Sequence, residues 1–190
     1  MIRQFIRRIL GNGASASDAR APLVFGRDEH GIDPDDVSSN AVRVTETLQR
    51  AGFKAFIVGG AVRDLVLGFK PKDFDVATNA TPEQIKRLFR RAFIIGRRFQ
   101  IVHVIEVTTF RGSSSDGAPK DEHGRVLRDN TFGEQHEDAE RRDFTINAMY
   151  YDPEEQQVLD YHGGMKDIRS RSLRMIGDPE ARYRDDPVLL

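Results

Sequence analysis

The sequence predicts an α+β domain in which a mixed β-sheet is flanked by helices. Three observations carry this expectation. Short apolar runs of strand length at 53–58, 73–77 and 101–110 alternate with segments whose apolar residues recur at helical spacing. Glycines punctuate the joins, at Gly52, Gly68 and Gly163-Gly164. The 190 residues, 38% hydrophobic and 31% charged, suffice for one globular domain with appendages.

The N-terminal decapeptide MIRQFIRRIL is basic, amphipathic and free of acids. Arg-rich transit peptides share that composition, but Asp18, Asp28 and Glu29 follow soon after. Residues 11–36 are rich in Gly, Ser, Ala and Asp, so 1–36 is expected to be a disordered or surface-lying extension. The domain is expected over 37–180. Its first helix starts with Ser38 or Ser39 as the N-cap, carries Ala41, Val44, Leu48 and Ala51 on one face, and stops at Gly52. A buried strand follows at 53–58, then a helix at 61–67 that begins at Gly59-Gly60 and ends at Gly68. Residues 73–77 form a second strand. Thr81 caps the next helix with Pro82 in its first turn, and Ile85, Leu88 and Phe89 are its apolar face. Strands are expected at 92–95 and 101–110, a mobile loop at 111–125, and a helix at 137–150. A short strand at 158–161 and a helix after Gly163-Gly164 close the domain. Residues 181–190 read as the start of a truncated neck.

Composition excludes several classes. With no cysteine there are no disulfides and no thiolate zinc site, which suits a reducing compartment, and a cytoplasmic location is expected. No apolar run approaches the ~20 residues of a membrane span. A net charge of −1 points to no polyanion, but Lys86, Arg87, Arg90, Arg91, Arg97 and Arg98 form an acid-free basic stretch. Such a stretch is either a solvated face or a phosphate contact.

The chemistry concentrates in FIVGGAVRDLVLGFKPKDFDVA, residues 56–77. A glycine pair between strand and helix permits positive φ and close backbone approach, and the following helix start favours an anion. Arg63 lies in the first turn, within reach of a triphosphate. Asp73 and Asp75, at i and i+2 in a strand, share a face and can hold a divalent metal beside a phosphate. That combination points to phosphoryl or nucleotidyl transfer. The structural alternatives are a plain tight turn at the glycines, an Asp73 that caps a turn, and an Asp75 paired with Lys72 or Arg63. Neither GxxxxGK[ST] nor GxGxxG is present, which disfavours P-loop and Rossmann sites. Glu106 in the apolar strand IVHVIEVTTF needs a charged partner or a metal unless it lies on a solvated edge. His103 reads as solvent-facing. In RRDFTINA, Arg142 is placed to meet phosphate and Asn147 a ribose hydroxyl. Asp143 is placed to bind metal or to orient its neighbours.

Together GGAVRD, KDFD, EVTTFRG, RRDFTINAMYY and DYHGGMKDI resemble, in order, the head domain of class II nucleotidyltransferases over 38–186. This family comprises CCA-adding tRNA nucleotidyltransferases and bacterial poly(A) polymerases. KPKDFDVATNATPEQIKRLF and GRRFQIVHV resemble the poly(A) branch, although its segment between His103 and Glu106 is longer. The resemblance implies a nucleotidyltransferase-type mixed sheet and template-independent transfer of AMP from ATP to RNA 3′ ends, in messenger RNA processing. CCA addition to tRNA, or an idle nucleotide- or RNA-binding fragment, are the alternatives. It further implies Mg²⁺ (or Mn²⁺) on Asp73 and Asp75, and nucleotide contacts from Gly59, Gly60, Arg63, Arg142 and Asn147. Glu106 or Asp143 is implied as the third carboxylate. After Asp185-Asp186-Pro187-Val188 the family has an arginine where this chain has Leu189, so Asp186 is expected to be a remnant of a base-reading site.

Overall fold

The computed structural model describes residues 21–89, 93–95, 101–103, 106–112 and 132–185. The N-terminal decapeptide, most of the 111–125 loop, Arg90, Arg91, Arg97, Arg98, Asp186 and Leu189 lie outside them, as does the side chain of His103.

Eight strands form one sheet in the order β1-β8-β7-β2-β3-β6-β5-β4. They are β1 (Leu23–Phe25), β2 (Ala55–Val58), β3 (Asp75–Thr78), β4 (Phe93–Ile95), β5 (Ile101–His103), β6 (Glu106–Thr109), β7 (Met149–Asp152) and β8 (Gln157–Asp160). Among the described residues every pairing is antiparallel except that of β3 with β6. The helices are α1 (Arg27–His30), α2 (Ser39–Arg50), α3 (Gly60–Val66), α4 (Pro82–Leu88), α5 (Gln135–Glu140), α6 (Gly164–Ser170) and α7 (Pro179–Asp185). The expected mixed sheet flanked by helices is therefore present.

Side chains alternate between two cores, as a sheet covered on both faces requires. Ile57, Val76, Val107, Met149 and Tyr151 pack against Val44 and Leu48 of α2, Val62 and Leu65 of α3, Ile85 of α4 and Met165 of α6. Phe56, Val58, Ala77, Phe110 and Tyr150 face the other way, with Ala139 of α5. There Phe56 stacks on Phe110, and Tyr150 meets both edge-on with centroids 6.2 and 6.3 Å away. Ser38 caps α2, its Oγ accepting from Ala41 N, and Thr81 with Gln84 forms a capping box around α4.

Four expectations are corrected. First, residues 23–36 are not a disordered extension. Leu23, Val24 and Phe25 pair with Asp160, Leu159 and Val158, and Ile32 is 1% exposed. His30 anchors this stretch, its Nδ1 accepting from Ile32 N and its Nε2 bonding Gln156 O. The pairing partner lies about 135 residues away in the chain, so no local pattern announces it. Second, the 137–150 helix stops at Glu140, a 3₁₀ turn spans Thr145–Asn147, and Met149 enters a strand. Pairing of β7 with both β2 and β8 outweighs the helical spacing. Third, 101–110 is two antiparallel strands rather than one. Fourth, β3 begins at Asp75, so Asp73 precedes the strand and does not share its face.

The DYHGG segment has a structural explanation. Asp160, 2% exposed, accepts from the backbone N–H of His162, Gly163, Gly164 and Met165, which starts α6. Gly164 lies against the 3₁₀ turn, where an added Cβ would stand 2.4 Å from Thr145 O. Gly164→Ala is expected to cost about 1–3 kcal/mol through overpacking and to lower the thermal midpoint by several degrees. An unchanged midpoint in calorimetry would show that α6 does not need this close approach.

Candidate active site

The site forms at the end of β3 and β6, on the aromatic face of the sheet. Parallel pairing sets Asp75 in register with Glu106, and Ala77 with Thr108. Asp75 follows the face of Val58 and Ala77 rather than that of Val76, so its carboxylate points toward α5. Burial and the adjacent Glu106 carboxylate raise the Asp75 pKa above its ordinary value, and the Arg142 guanidinium only partly offsets this.

Gly59 joins β2 to α3 at φ 80° and ψ −141°, a conformation that requires glycine. Its absent side chain leaves room on the site face, where a Cβ would lie 3.6 Å from Arg142 Nη1 and 3.9 Å from Asp75 Oδ2. Gly60 is different. It is the first residue of α3, and a Cβ there would only touch Arg63 Nη2 at 3.5 Å.

Arg142 is fixed by three partners. Its Nη2 donates to Asp138 Oδ2 at 3.1 Å, its Nε to the Tyr150 hydroxyl at 3.3 Å, and its Nη1 to Asn147 O at 3.5 Å. The Tyr150 hydroxyl donates in turn to Asp138 Oδ2 at 2.7 Å. Burial opposes the charge of Arg142, but Tyr150 and Asp138 more than compensate and hold its pKa above the ordinary value. Burial also raises Tyr150, so its hydroxyl stays neutral and donating. Asp138 is 6% exposed, and removing its charge would strand a buried guanidinium, a change that typically costs about 3–5 kcal/mol.

A second chain of contacts positions the remaining predicted residues. Arg63 Nε donates to Asp64 Oδ1 at 2.8 Å and Arg63 Nη1 to Asn147 Oδ1 at 2.9 Å. Asn147 Nδ2 donates to Asp143 Oδ1 at 3.3 Å, and Asp143 Oδ1 also accepts from Phe144 N at 2.7 Å. Asp143 thus orients Asn147, and Arg63 pairs with Asp64 rather than with Asp75.

Two clefts flank the carboxylates. One, of about 350 Å³, is lined by Val58, Asp75, Glu106, Thr108, Arg111, Asp138 and the Arg141-Arg142-Asp143 run. The other, of about 440 Å³, is lined by Ser38, Asn40, Lys72, Asp73, Phe74, Asp75 and Glu106. Among the described residues only Asp75 and Glu106 line both. Asp75, Glu106, Arg142 and Asp143 are brought together in the first cleft, and Asp73 is placed in the second. Among the described residues no three acidic or imidazole groups stand close enough to cage a metal. The donor set is an oxygen pair, which fits Mg²⁺ held by one or two carboxylates plus substrate phosphates.

Sequence reasoning gave no site role to Asp138, Tyr150, Arg111 or Thr108. The i,i+4 spacing of Asp138 and Arg142 was a readable signal. The role of Tyr150 was not readable, because it depends on which face of β7 meets α5.

Residues 55–174 match the family described as Poly A polymerase head domain. The chain is 48% identical to poly(A) polymerase I of Escherichia coli, over 98% of this chain and 44% of that protein. It is 38% identical to a CCA-adding enzyme of Lactobacillus helveticus, over 80% of this chain and 39% of that one. Among solved structures it is similar to the Bacillus stearothermophilus CCA-adding enzyme in complex with CTP. The TM-score is 0.62 at 33% identity, covering 80% of this chain and 37% of that one. The chain therefore spans less than half the length of these relatives. The parallel β3–β6 pair with its facing carboxylates, the Gly59 turn and the RRD segment sit inside the matched region, and the chain belongs to the poly(A) polymerase head-domain family of nucleotidyltransferases.

Proposed function

We propose that this domain transfers AMP from ATP to the 3′ end of RNA and releases pyrophosphate, as part of messenger RNA processing in the cytoplasm. The observation that carries the reading is the Asp75–Glu106 pair at the edge of a cleft whose other wall holds Arg111, Arg141 and Arg142. Three guanidinium groups suit a triphosphate, and a part-buried carboxylate beside an exposed one suits divalent metal. The relatives named poly(A) polymerase I and the match to the family head domain support it.

Asp75 and Glu106 would hold Mg²⁺, with Mn²⁺ as the alternative. The bound ions supply a lowered pKa for the attacking hydroxyl and neutralise charge at the α-phosphate. The 3′ oxygen forms a bond to the α-phosphorus in line, the bond to the β-phosphate bridge breaks, and the hydroxyl proton passes to solvent. Arg142, pinned by Asp138 and Tyr150, presents a fixed charge to the phosphates beside Gly59. Asn147, held from both sides by Asp143 and Arg63, offers a preset partner for a ribose hydroxyl. With Asp143 occupied by Asn147 and the Phe144 N–H, Glu106 rather than Asp143 is the better second metal ligand, and Asp73 serves from the neighbouring cleft. The CCA-adding relative favours a second reading, CCA addition to tRNA.

Three outcomes follow. In the longest form of the protein that turns over, Asp75→Ala and Glu106→Ala should each lower Mg²⁺-dependent AMP incorporation by about 10³-fold. Activity within tenfold of wild type would reject the assignment. When a tRNA lacking its CCA end and an unstructured RNA are offered separately, AMP should be added to the unstructured RNA. CTP incorporation on the tRNA would instead establish the second reading.

The third concerns stability. The folded-state pKa of Asp75 is raised, so its ionised form costs stability above that pKa, and the cost disappears below the unfolded carboxylate pKa of ~3.9. Asp75→Asn should therefore raise the thermal midpoint at neutral pH in EDTA, with the gain vanishing as pH falls through the carboxylate range. Mg²⁺ should raise the wild-type midpoint and leave the variant unmoved. A variant less stable than wild type at pH 7 without metal would contradict the like-charge account.

A further inference from the structure

We infer that the second cleft, on the Lys72 side of the carboxylate pair, seats the 3′-terminal nucleotide of the acceptor RNA, with Lys72, Asn40 and Ser38 as its polar contacts. This deepens the nucleotidyl-transfer reading and rests on it. An in-line displacement puts the attacking oxygen and the departing pyrophosphate on opposite sides of the α-phosphorus. The two substrates must therefore approach the carboxylates from two directions. Two clefts do so, and Asp75 and Glu106 are the residues common to both.

Charge distinguishes the occupants. Beyond the shared carboxylates, the first cleft sets Arg111, Arg141 and Arg142 against Asp138 and Asp143, a cationic excess suited to a triphosphate. Among the described residues the second carries one cation, Lys72, set against Asp73, beside the partly buried ring of Phe74 and two neutral polar side chains from the start of α2. One phosphodiester charge, a base or ribose face and hydroxyl groups are the features of a single terminal nucleotide. A triphosphate placed there would meet Asp73 with only one lysine to offset it.

The polar groups are also available. Among the described residues Lys72 has neither a hydrogen bond nor an ion pair, while nearby Lys70 is committed to Asp36 at 3.0 Å. Asn40 uses its carbonyl oxygen to accept from Arg43 Nη2 at 3.2 Å, which leaves its amide hydrogens to donate. Ser38 Oγ accepts from Ala41 N and keeps its own O–H to donate. The cleft volume of about 440 Å³ lies within the range that holds one small ligand. Lys72 and Asn40 are exposed, so their removal leaves the core intact.

The test uses the protein and an oligoadenylate ending in 4-thiouridine. Irradiation, followed by mass spectrometry of the adduct, should place the terminal base on residues 38–40 or 72–74. In parallel, Lys72→Ala and Asn40→Ala should each raise KM for RNA about tenfold, with KM for ATP within twofold of wild type, and Lys72→Arg should restore most of the loss. Adducts on the Arg111 and Arg141 side, no adduct at all, or an unchanged KM for RNA in both variants would overturn the inference. The crosslink needs no turnover, so failure of AMP transfer by the unsubstituted protein would count against the proposed function separately.

Discussion

Asp75 and Glu106 face one another because β3 and β6 run parallel, the single parallel pairing among the described residues. In a parallel pair, registered residues project to the same side, so two acids at the strand starts, Asp75 part-buried and Glu106 exposed, stand side by side. Burial of the Asp75 carboxylate and, after it, the like charge of Glu106 cost free energy, and together they hold the Asp75 pKa above its ordinary value. The rest of the site is arranged around that cost. Arg142 partly offsets it, and Gly59 leaves the guanidinium and the carboxylate open to each other. A pair of carboxylates that repel one another without a cation is also a pair that favours binding one.

Holding Arg142 in place needs more than its own segment. Its partners come from α5 through Asp138 and from β7 through Tyr150. The segment that carries it is stitched down behind. Thr145 donates to Asp167 at 2.6 Å, Asp167 accepts from Arg174 at 2.9 Å, and Ile176 N donates to Asp143 O at 2.8 Å. At the exit of the domain, Arg182 of α7 donates to Glu140 O, Arg141 O and Ile176 O. The last helix described is thus tied directly to the residues beside Arg142. Preset donors of this kind need no reorganisation when charge develops, which is how rigid sites stabilise phosphoryl transfer.

Local chemistry accounts for what was legible beforehand. The glycine turn at 59–60, the Ser38 and Thr81 caps and the apolar faces of α2 and α4 depend on residues a few positions apart, and each has a local physical cause. Glu106 was legible as a suspicious charge because an acid in an apolar strand demands a partner. Less legible were β1 and β7. The Leu23–Phe25 strand exists because β8 offers it an edge, and Met149–Asp152 is a strand because β2 and β8 bracket it. No pattern within either segment carries that information.

The sequence by itself determined which residue types stand ready for phosphate and metal chemistry, and in what order, because turns, caps and periodicity act over a handful of residues. Which of these residues meet was decided by tertiary structure. Strand pairing set Asp75 against Glu106, moved Asp73 off the strand into a second cleft, gave Asp143 to Asn147, and enlisted Asp138 and Tyr150 to hold Arg142. The physical reason is that sheet register and the face each residue takes are fixed by burial of two opposing cores. That is a property of the whole chain rather than of any one of its motifs.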